Sequence, residues 1–165
     1  MKTKPTAIFR ELTRKHKALP EDECIRILCE EKRGVLSVVG DEGYPYGMPM
    51  NHFYCEADGC IYFHSGKGGH RNDSLEKCRK VSFCVYDGGF RREGEWALNI
   101  RSVIVFGKIE ILDDLSEIER VTYLLSRKFT DDEEYIRKEI SAFASKTLLL
   151  RLVPEHICGK LVDES

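Results

Sequence analysis

The sequence predicts a mainly β fold with some α-helix, in which about six strands form an antiparallel barrel and helices pack against its outside. Three observations support this fold class. Short apolar stretches rich in β-branched and aromatic residues recur along the chain, and turns of hairpin length join several of them. Helical signals are confined to a few segments. Because strands and helices do not alternate regularly, the pattern argues against a doubly wound α/β fold.

The strands are predicted from their composition and from the turns between them. Residues 35–39 form a buried strand, and Asp-Glu-Gly at 41–43 marks a turn after it. The next strand, 44–54, contains Pro45 and Pro49, which donate no backbone N–H, so it lies at an edge or is bulged. Further strands are predicted at 60–65, 80–86, within 96–112 and at 148–153.

Two residues are expected to shape the last strands. Gly107 interrupts a long β-branched stretch, which predicts a bulge or a sharp bend of the kind that barrel strands need. Pro154 follows the final apolar stretch and predicts the end of its strand. The sheet is therefore expected to bend at Gly107 and to finish near residue 153.

Capping and periodicity signals predict helices in four places. Pro20 followed by acidic residues is a favourable helix start, and apolar residues follow it at helical spacing. Asp113 and Asp114 precede one later helix, and Thr130 opens a capping signal for another. The predicted helices are 21–32, 70–77, 115–128 and 131–142.

The composition is typical of one soluble globular domain. The chain has 165 residues, of which 42% are hydrophobic and 33% are charged. No apolar run approaches the roughly 20 residues of a membrane span, and the start of the chain has no signal-peptide core. We therefore expect a cytoplasmic protein without membrane contact. Seven cysteines without a Cys-x-x-Cys pair are expected to be reduced and metal-free.

Positive charge is concentrated at the N-terminus, although the net charge is only −2. We divide the chain into a basic N-terminal arm, 1–19, and a single domain, 20–165. The arm contains six Lys or Arg against one Glu. Such an arm can touch RNA, but it is more often solvated or packed on an acidic partner subunit. We therefore do not expect nucleic-acid binding.

The segment 61–72, Ile-Tyr-Phe-His-Ser-Gly-Lys-Gly-Gly-His-Arg-Asn, carries the strongest functional signal. An apolar strand runs into a Gly-rich turn and then into the start of a helix. Free N–H groups at the helix start, close approach at glycines and cations at Lys67, His70 and Arg71 together make an anion site. The segment predicts binding of a phosphorylated small molecule, most simply a nucleotide-type cofactor. The same residues are equally compatible with a surface turn bearing solvated charges.

Three motifs in a fixed order resemble one known family. They are Gly-Val-Leu-Ser-Val-Val-Gly-Asp-Glu-Gly-Tyr-Pro-Tyr-Gly-Met-Pro-Met-Asn at 34–51, the strand and turn at 61–71, and Arg-Ser-Val-Ile-Val-Phe-Gly at 101–107. In these motifs the chain resembles the pyridoxamine 5′-phosphate oxidase-related split-barrel flavoproteins, and most of all their nitroimidazole-resistance (Nim-type) branch. The resemblance implies a split β-barrel, a homodimer, and FMN bound in a groove at the subunit interface.

The resemblance also implies which residues contact the cofactor. The isoalloxazine ring is expected along 48–51, and the ribityl chain and phosphate beside His64 and Ser65. Arg71 takes the position of the family's phosphate-binding Lys, which keeps the charge and adds a bidentate fork. The implied cofactor-binding positions are Met48, Pro49, Met50, Asn51, Phe63, His64, Ser65, Lys67, His70, Arg71, Trp96, Ser102 and Val103.

Three further positions, outside 48–51, also concern the ring. Ser102 and Val103 are expected to close the ring pocket. Trp96 is expected to stack on the ring or shield it, and the partner subunit can be the one that supplies this residue. Two departures from the family pattern stand out. His70 stands where many relatives carry Arg, and Ile100 stands where an aromatic residue is common.

The resemblance implies an FMN-dependent reductase of small electrophiles such as nitroaromatics or quinones. A non-catalytic flavin- or haem-binding protein is the alternative, because fold does not dictate function. The C-terminal Arg-rich substrate motif of the true oxidases is not found, so pyridoxamine phosphate oxidase activity is not expected. No catalytic residue is assigned. His52 or His64 could donate a proton to a substrate, although a strand residue satisfied by backbone is the favoured interpretation of His52.

Overall fold

The computed structural model describes residues 9–163, and within them seven strands form one antiparallel sheet. The strand order is β2-β1-β5-β6-β7-β4-β3. This arrangement, with helices outside, confirms the predicted split β-barrel. The strands are β1 Arg33–Val39, β2 Pro45–Asn51, β3 Phe53–Cys55, β4 Cys60–Gly66, β5 Lys80–Tyr86, β6 Ile100–Leu112 and β7 Thr147–Val162.

The long strands β6 and β7 connect the two halves of the sheet. The start of β6 pairs with β5, and β7 pairs with β4 over Thr147–Leu152. Between them, β6 and β7 pair along almost their whole length, with a register shift between Phe106 and Gly107. The predicted bulge at Gly107 is therefore confirmed. A bulge increases local twist, and this lets one continuous ladder curve into a barrel.

The prediction that Pro154 ends the last strand is wrong. β7 continues through it to Val162, because Pro154 stands opposite Gly107 at the register shift. A ladder already interrupted by a bulge tolerates a residue that donates no N–H. The strand predicted at 44–54 is also two strands, β2 and β3, which are separated at His52.

The described residues form four α-helices, in the four predicted places. They are α1 Glu21–Glu30, α2 His70–Lys77, α3 Leu115–Arg127 and α4 Glu133–Phe143. Asp114 caps α3 by accepting the Glu117 N–H at 2.8 Å. Asp132, rather than Thr130, caps α4 by accepting the Tyr135 N–H at 3.0 Å. No helix in the described part of the chain is long and apolar enough to cross a membrane.

The main core fills the barrel between the sheet and α1. Leu36 and Phe83 are fully buried inside it, and α1 covers them with Ile27 and Leu28. A smaller apolar cluster lies under α3, where Ile118 packs with sheet residues. Burial alternates along β1 and β5, as expected for strands with one face toward a core. The second cluster positions the α3–α4 pair against the end of the sheet.

The described part of the N-terminal arm lies against β7. The Leu19 N–H donates to the Gly159 carbonyl at 3.0 Å, and the Lys17 ammonium pairs with the Asp163 carboxylate. Lys2 and Lys4, which contribute to the predicted basic arm, lie outside the described residues. At least one arm cation therefore binds an acidic group of this chain rather than an external anion.

His52, between β2 and β3, is a structural residue. Its Nε2 lies 2.9 Å from the Leu28 carbonyl oxygen, and its ring packs edge-on against Phe83. Its own carbonyl accepts from Lys128 Nζ at 3.1 Å. Burial, with a smaller contribution from the Lys128 charge, lowers the pKa of His52 to about 4. The backbone contact of Nε2 agrees with a structural role for His52, but the residue lies between two strands, and its Nδ1 is buried without a hydrogen-bond partner in residues 9–163.

We expect the free energy of unfolding to fall as the pH is lowered from about 6.5 to about 4. In that pH window His52 is protonated in the unfolded chain but neutral in the folded chain. Lowering the pH therefore reduces the free energy of unfolding by up to about 1.4 kcal/mol per pH unit. Urea denaturation at several pH values measures the slope. His52→Gln keeps a polar side chain without a titrating group and should show a shallower slope. Equal slopes in both proteins would contradict the assignment.

Candidate functional site

A cavity of about 680 Å³ lies between the end of the sheet and the α3–α4 pair. One wall comes from the ends of β2 and β4 and the start of α2, and the opposite wall from the two helices. The volume is within the range of small-molecule sites, roughly 300–1,000 Å³. The lining residues are Pro49, Met50, Asn51, His64, Ser65, Gly66, Arg71, Thr122, Leu125, Ser126, Phe129, Thr130, Tyr135, Ile136, Glu139, Ile140, Phe143, Ala144 and Thr147.

The structure brings seven of the thirteen predicted cofactor-binding positions together at this cavity. Six of them line it, and Met48 lies beside them, with its Sδ 4.0 Å from Arg71 Nη1. The other six positions lie elsewhere and are described below. The six lining positions are Pro49, Met50, Asn51, His64, Ser65 and Arg71.

Arg71 is a half-buried cation without an anionic partner among residues 9–163. Its Nη2 donates to Ser65 Oγ, and its Nη1 lies 3.2 Å from the Met50 Sδ, a weak acceptor. Its Nε is buried and has no hydrogen-bond partner, and Arg71 forms no ion pair within residues 9–163. Burial lowers the pKa of its guanidinium. A desolvated guanidinium without a carboxylate retains its capacity to bind an anion.

The turn before Arg71 is held by a polar network that sequence reasoning missed. Asn72 is buried, and its Nδ2 donates to the Gly66 carbonyl at 2.7 Å. Its Oδ1 lies 3.3 Å from Ser65 Oγ, which also contacts Arg71. The network therefore connects the end of β4 to the first turn of α2. An asparagine near a Gly-rich turn was visible in the sequence, but nothing there indicated that its side chain would point inward.

Gly69 gives α2 its starting geometry. It has φ +95°, a conformation that favours glycine, and its carbonyl accepts from Asn72 N at 2.9 Å. Arg71 follows two residues later, in the first turn of the helix. The positive end of the helix dipole therefore adds to the positive potential of its guanidinium.

Lys67 and His70 do not line the cavity. Lys67 is exposed, whereas the His70 ring stacks on Tyr46 with centroids 4.3 Å apart. His70 Nε2 also lies 3.4 Å from an Asp41 carboxylate oxygen. The three cations that the sequence placed in one anion site therefore divide, with Arg71 inside and the others on the surface. Their contact with a cofactor phosphate stays a prediction.

Four further predicted positions are also away from this cavity within one chain. Phe63 is fully buried in the main core and packs edge-on against Phe83. Val103 is buried in the same core, and Ser102 Oγ donates to the Lys160 carbonyl at 3.3 Å. Trp96 is 78% exposed. The predicted contacts of Ser102, Val103 and Trp96 with a flavin ring stay predictions that depend on a second subunit.

His64 is the histidine of the cavity wall. It lies on β4 directly before Ser65, so its side chain points to the opposite face of the strand. Partial desolvation, and then the nearby charge of Arg71, lower the pKa of His64. Its imidazole is therefore neutral near pH 7, and one ring nitrogen can donate a hydrogen bond while the other accepts one.

The helical wall was not predicted to belong to a site. Thr122 on α3 lines the cavity, and its hydroxyl oxygen is buried without a hydrogen-bond partner. On α4, Tyr135, Glu139 and Phe143 recur every four residues and therefore share one face. That spacing is visible in the sequence, but only the packing of α3 and α4 shows that this face of α4 lines the cavity. Within residues 9–163, no group of three or more potential ligands could hold a metal ion.

The fold and this cavity define the class of protein, a split-barrel domain with a cavity between the end of its sheet and the α3–α4 pair. The family model for pyridoxamine 5′-phosphate oxidase matches residues 20–161, most of the chain. The chain therefore belongs to the pyridoxamine 5′-phosphate oxidase family. Among curated proteins, none matches the sequence at a significant level.

Solved structures share this fold at low sequence identity. A conserved hypothetical protein from Mycobacterium tuberculosis has a TM-score of 0.77 and 18% identity, over 91% of this chain and 90% of that one. A candidate 5-nitroimidazole antibiotic resistance protein from Bacteroides thetaiotaomicron has a TM-score of 0.73 and 19% identity, over 88% and 87%. An FAD- and haem-binding protein from Mycobacterium smegmatis has a TM-score of 0.67 and 19% identity, over 88% and 72%.

Proposed function

We propose that this chain is an FMN-binding flavoprotein that reduces small electrophiles such as nitroaromatics or quinones. The observation that carries the proposal is Arg71, a half-buried guanidinium at a cavity wall with no anionic partner among the described residues. A phosphate supplies the missing negative charge and can accept two parallel N–H groups from the fork. The fold likeness to a candidate nitroimidazole-resistance protein and to an FAD-binding protein supports a flavin as the phosphate-bearing molecule.

The residues around Arg71 can hold the rest of such a cofactor. Met50 and Pro49 offer an apolar surface to a ring system, and Ser65 holds the guanidinium toward the cavity. His64, neutral near pH 7, can donate a hydrogen bond to a polar edge of the ligand. A bound flavin supplies hydride or electron transfer, and the protein contributes binding, orientation and electrostatics.

The proposal includes a homodimer with the cofactor at the subunit interface. The outer face of the sheet around β5 and β6 exposes apolar side chains, among them Tyr86 and Ile104. Trp96 is also exposed on the loop that precedes β6. A second subunit on this face would bury that apolar surface and bring Ser102 and Trp96 toward a shared cleft.

We expect the purified protein, reconstituted with FMN and freed of unbound flavin, to show a flavin band near ~450 nm. The sedimenting species should have about twice the monomer mass of 19.0 kDa. Under anaerobic conditions, the loaded protein should couple NAD(P)H oxidation to reduction of a nitroaromatic or of menadione. Parallel titration with FAD compares the two flavins. A protein that retains no flavin from either titration would rule the proposal out.

A non-catalytic flavin- or haem-binding protein is the second candidate. Two observations favour it: the neutral imidazole of His64 at the cavity wall, and the likeness to an FAD- and haem-binding protein. A neutral imidazole is a common axial ligand of haem iron. Titration with haemin distinguishes the candidates, because a Soret band that His64→Ala abolishes, without flavin retention, supports haem binding.

A further inference from the structure

Glu139 is an acidic residue of the cavity with no partner in the described part of the chain. It is half-buried on α4 and forms neither an ion pair nor a side-chain hydrogen bond with residues 9–163. Its neighbours three and four positions away are Tyr135, Ile136, Ala142 and Phe143, and none is cationic. Arg71 lines the same cavity but does not pair with Glu139. The carboxylate therefore remains available to a ligand.

Two aromatic residues lie on the same face of α4 as this carboxylate. Tyr135 and Phe143 stand one helical turn before and after Glu139 and are 56% and 54% exposed. Phe129, in the α3–α4 connection, also lines the cavity, but Lys32 Nζ and the Arg33 guanidinium already lie over its ring, each 5.5 Å from the centroid. Open faces of aromatic rings attract cations, and they attract them more strongly when water is partly excluded. We name the three residues Tyr135, Glu139 and Phe143, which share one face of α4, the helical subsite.

The charges that line the cavity make the helical subsite favour a positively charged ligand. Among the lining residues, Arg71 and Glu139 are the charged side chains of opposite sign, and burial together with the Arg71 charge lowers the pKa of His64. A phosphate on Arg71 neutralises the positive wall. What remains is a carboxylate framed by aromatic rings, which attracts positive charge and repels a second anion.

We propose that the helical subsite binds an organic ammonium group, so that the electrophile reduced beside the flavin carries an ammonium group on an apolar body. The carboxylate of Glu139 pairs with the ammonium, and the rings of Tyr135 and Phe143 pack on its carbon atoms. Glu139 is then the residue that selects this substrate class. The inference rests on the proposed function, because the cofactor phosphate removes the competing charge of Arg71.

The test uses two soluble probes of nearly equal shape, protonated 2-phenylethylamine and neutral 2-phenylethanol. Calorimetric titration of the FMN-loaded full chain at pH 7 should show the amine binding about tenfold more tightly or better, the scale of a hydrogen bond between charged groups. Glu139→Gln should remove that preference and leave binding of the alcohol unchanged within about twofold. Glu134→Gln, on the exposed side of the same helix, is the matched control and should behave as the unmodified chain.

A second pair of variants separates the rings from the charge. Phe143→Leu removes a ring but keeps apolar volume and should weaken amine binding by about two- to fivefold, whereas Phe143→Tyr should preserve it. Equal affinity for the two probes, or equal loss of both in Glu139→Gln, would overturn the inference. The cofactor proposal fails separately, as absence of a flavin band. In that event the same titrations of the flavin-free chain still test whether Glu139 discriminates amine from alcohol.

Discussion

Replacing Arg71 with alanine is expected to weaken FMN binding by about 1.5–3 kcal/mol, which is about a ten- to hundredfold rise in dissociation constant. The guanidinium is the half-buried cation of the cavity and has no carboxylate partner in the described residues. The substitution removes a positive charge and two N–H groups that can donate hydrogen bonds to a phosphate. Fluorescence titration of the flavin-free protein with FMN measures the change.

Two companion variants make the Arg71 result specific. Arg71→Lys keeps the charge without the planar fork and should fall between the unmodified chain and Arg71→Ala. Arg79→Ala removes an exposed arginine near the other end of α2 and should leave the dissociation constant unchanged. Riboflavin, which lacks the phosphate, should bind Arg71→Ala and the unmodified protein alike. An unchanged FMN dissociation constant in Arg71→Ala would remove the phosphate assignment.

Gly107→Ala is expected to lower the free energy of unfolding by about 1–3 kcal/mol, the typical range for overpacking. A Cβ at this position would lie 2.2 Å from the Val153 carbonyl oxygen and 2.9 Å from Leu152 Cδ1. The first of these atoms belongs to the backbone of β7, so relief requires the two long strands to separate at the bulge. Urea denaturation at pH 7 measures the loss.

Gly88→Ala is the matched control for that substitution. A Cβ on Gly88 meets no heavy atom within 4 Å, so the variant should unfold within about 0.5 kcal/mol of the unmodified chain. If Gly107→Ala were as stable as Gly88→Ala, the close approach of β6 and β7 would be wrong. Because β7 also carries Thr147 at the cavity, Gly107→Ala should in addition reduce ligand binding by displacing β7.

Sequence reasoning was most accurate where a local signal sufficed. α2 and β5 match their predicted bounds of 70–77 and 80–86, because a Gly-rich turn, a basic helix start and an alternating apolar stretch are all short-range features. It was least accurate at Pro154, where the chain continues as strand. The missing N–H of that proline is tolerated only because Gly107 lies opposite, 47 positions earlier.

The candidate site shows the same division. Arg71, Ser65 and His64 were identified from one contiguous segment, and the structure places them at one cavity. The helical wall with Glu139 comes from a segment about 70 residues later. No residue in that segment resembles a ligand site by itself, so sequence reasoning could assign it only a helix.

The order of elements, the family resemblance and the prediction of an anion site at 61–72 all came from residue types and short spacings along the chain. The structure decided which of three nearby cations turns inward, because that depends on what packs around each one. Arg71 enters the cavity against Met50 and Ser65, His70 stacks on Tyr46, and Lys67 stays in solvent. Packing between distant segments sets the desolvation of a charge, and desolvation separates a binding residue from a surface charge.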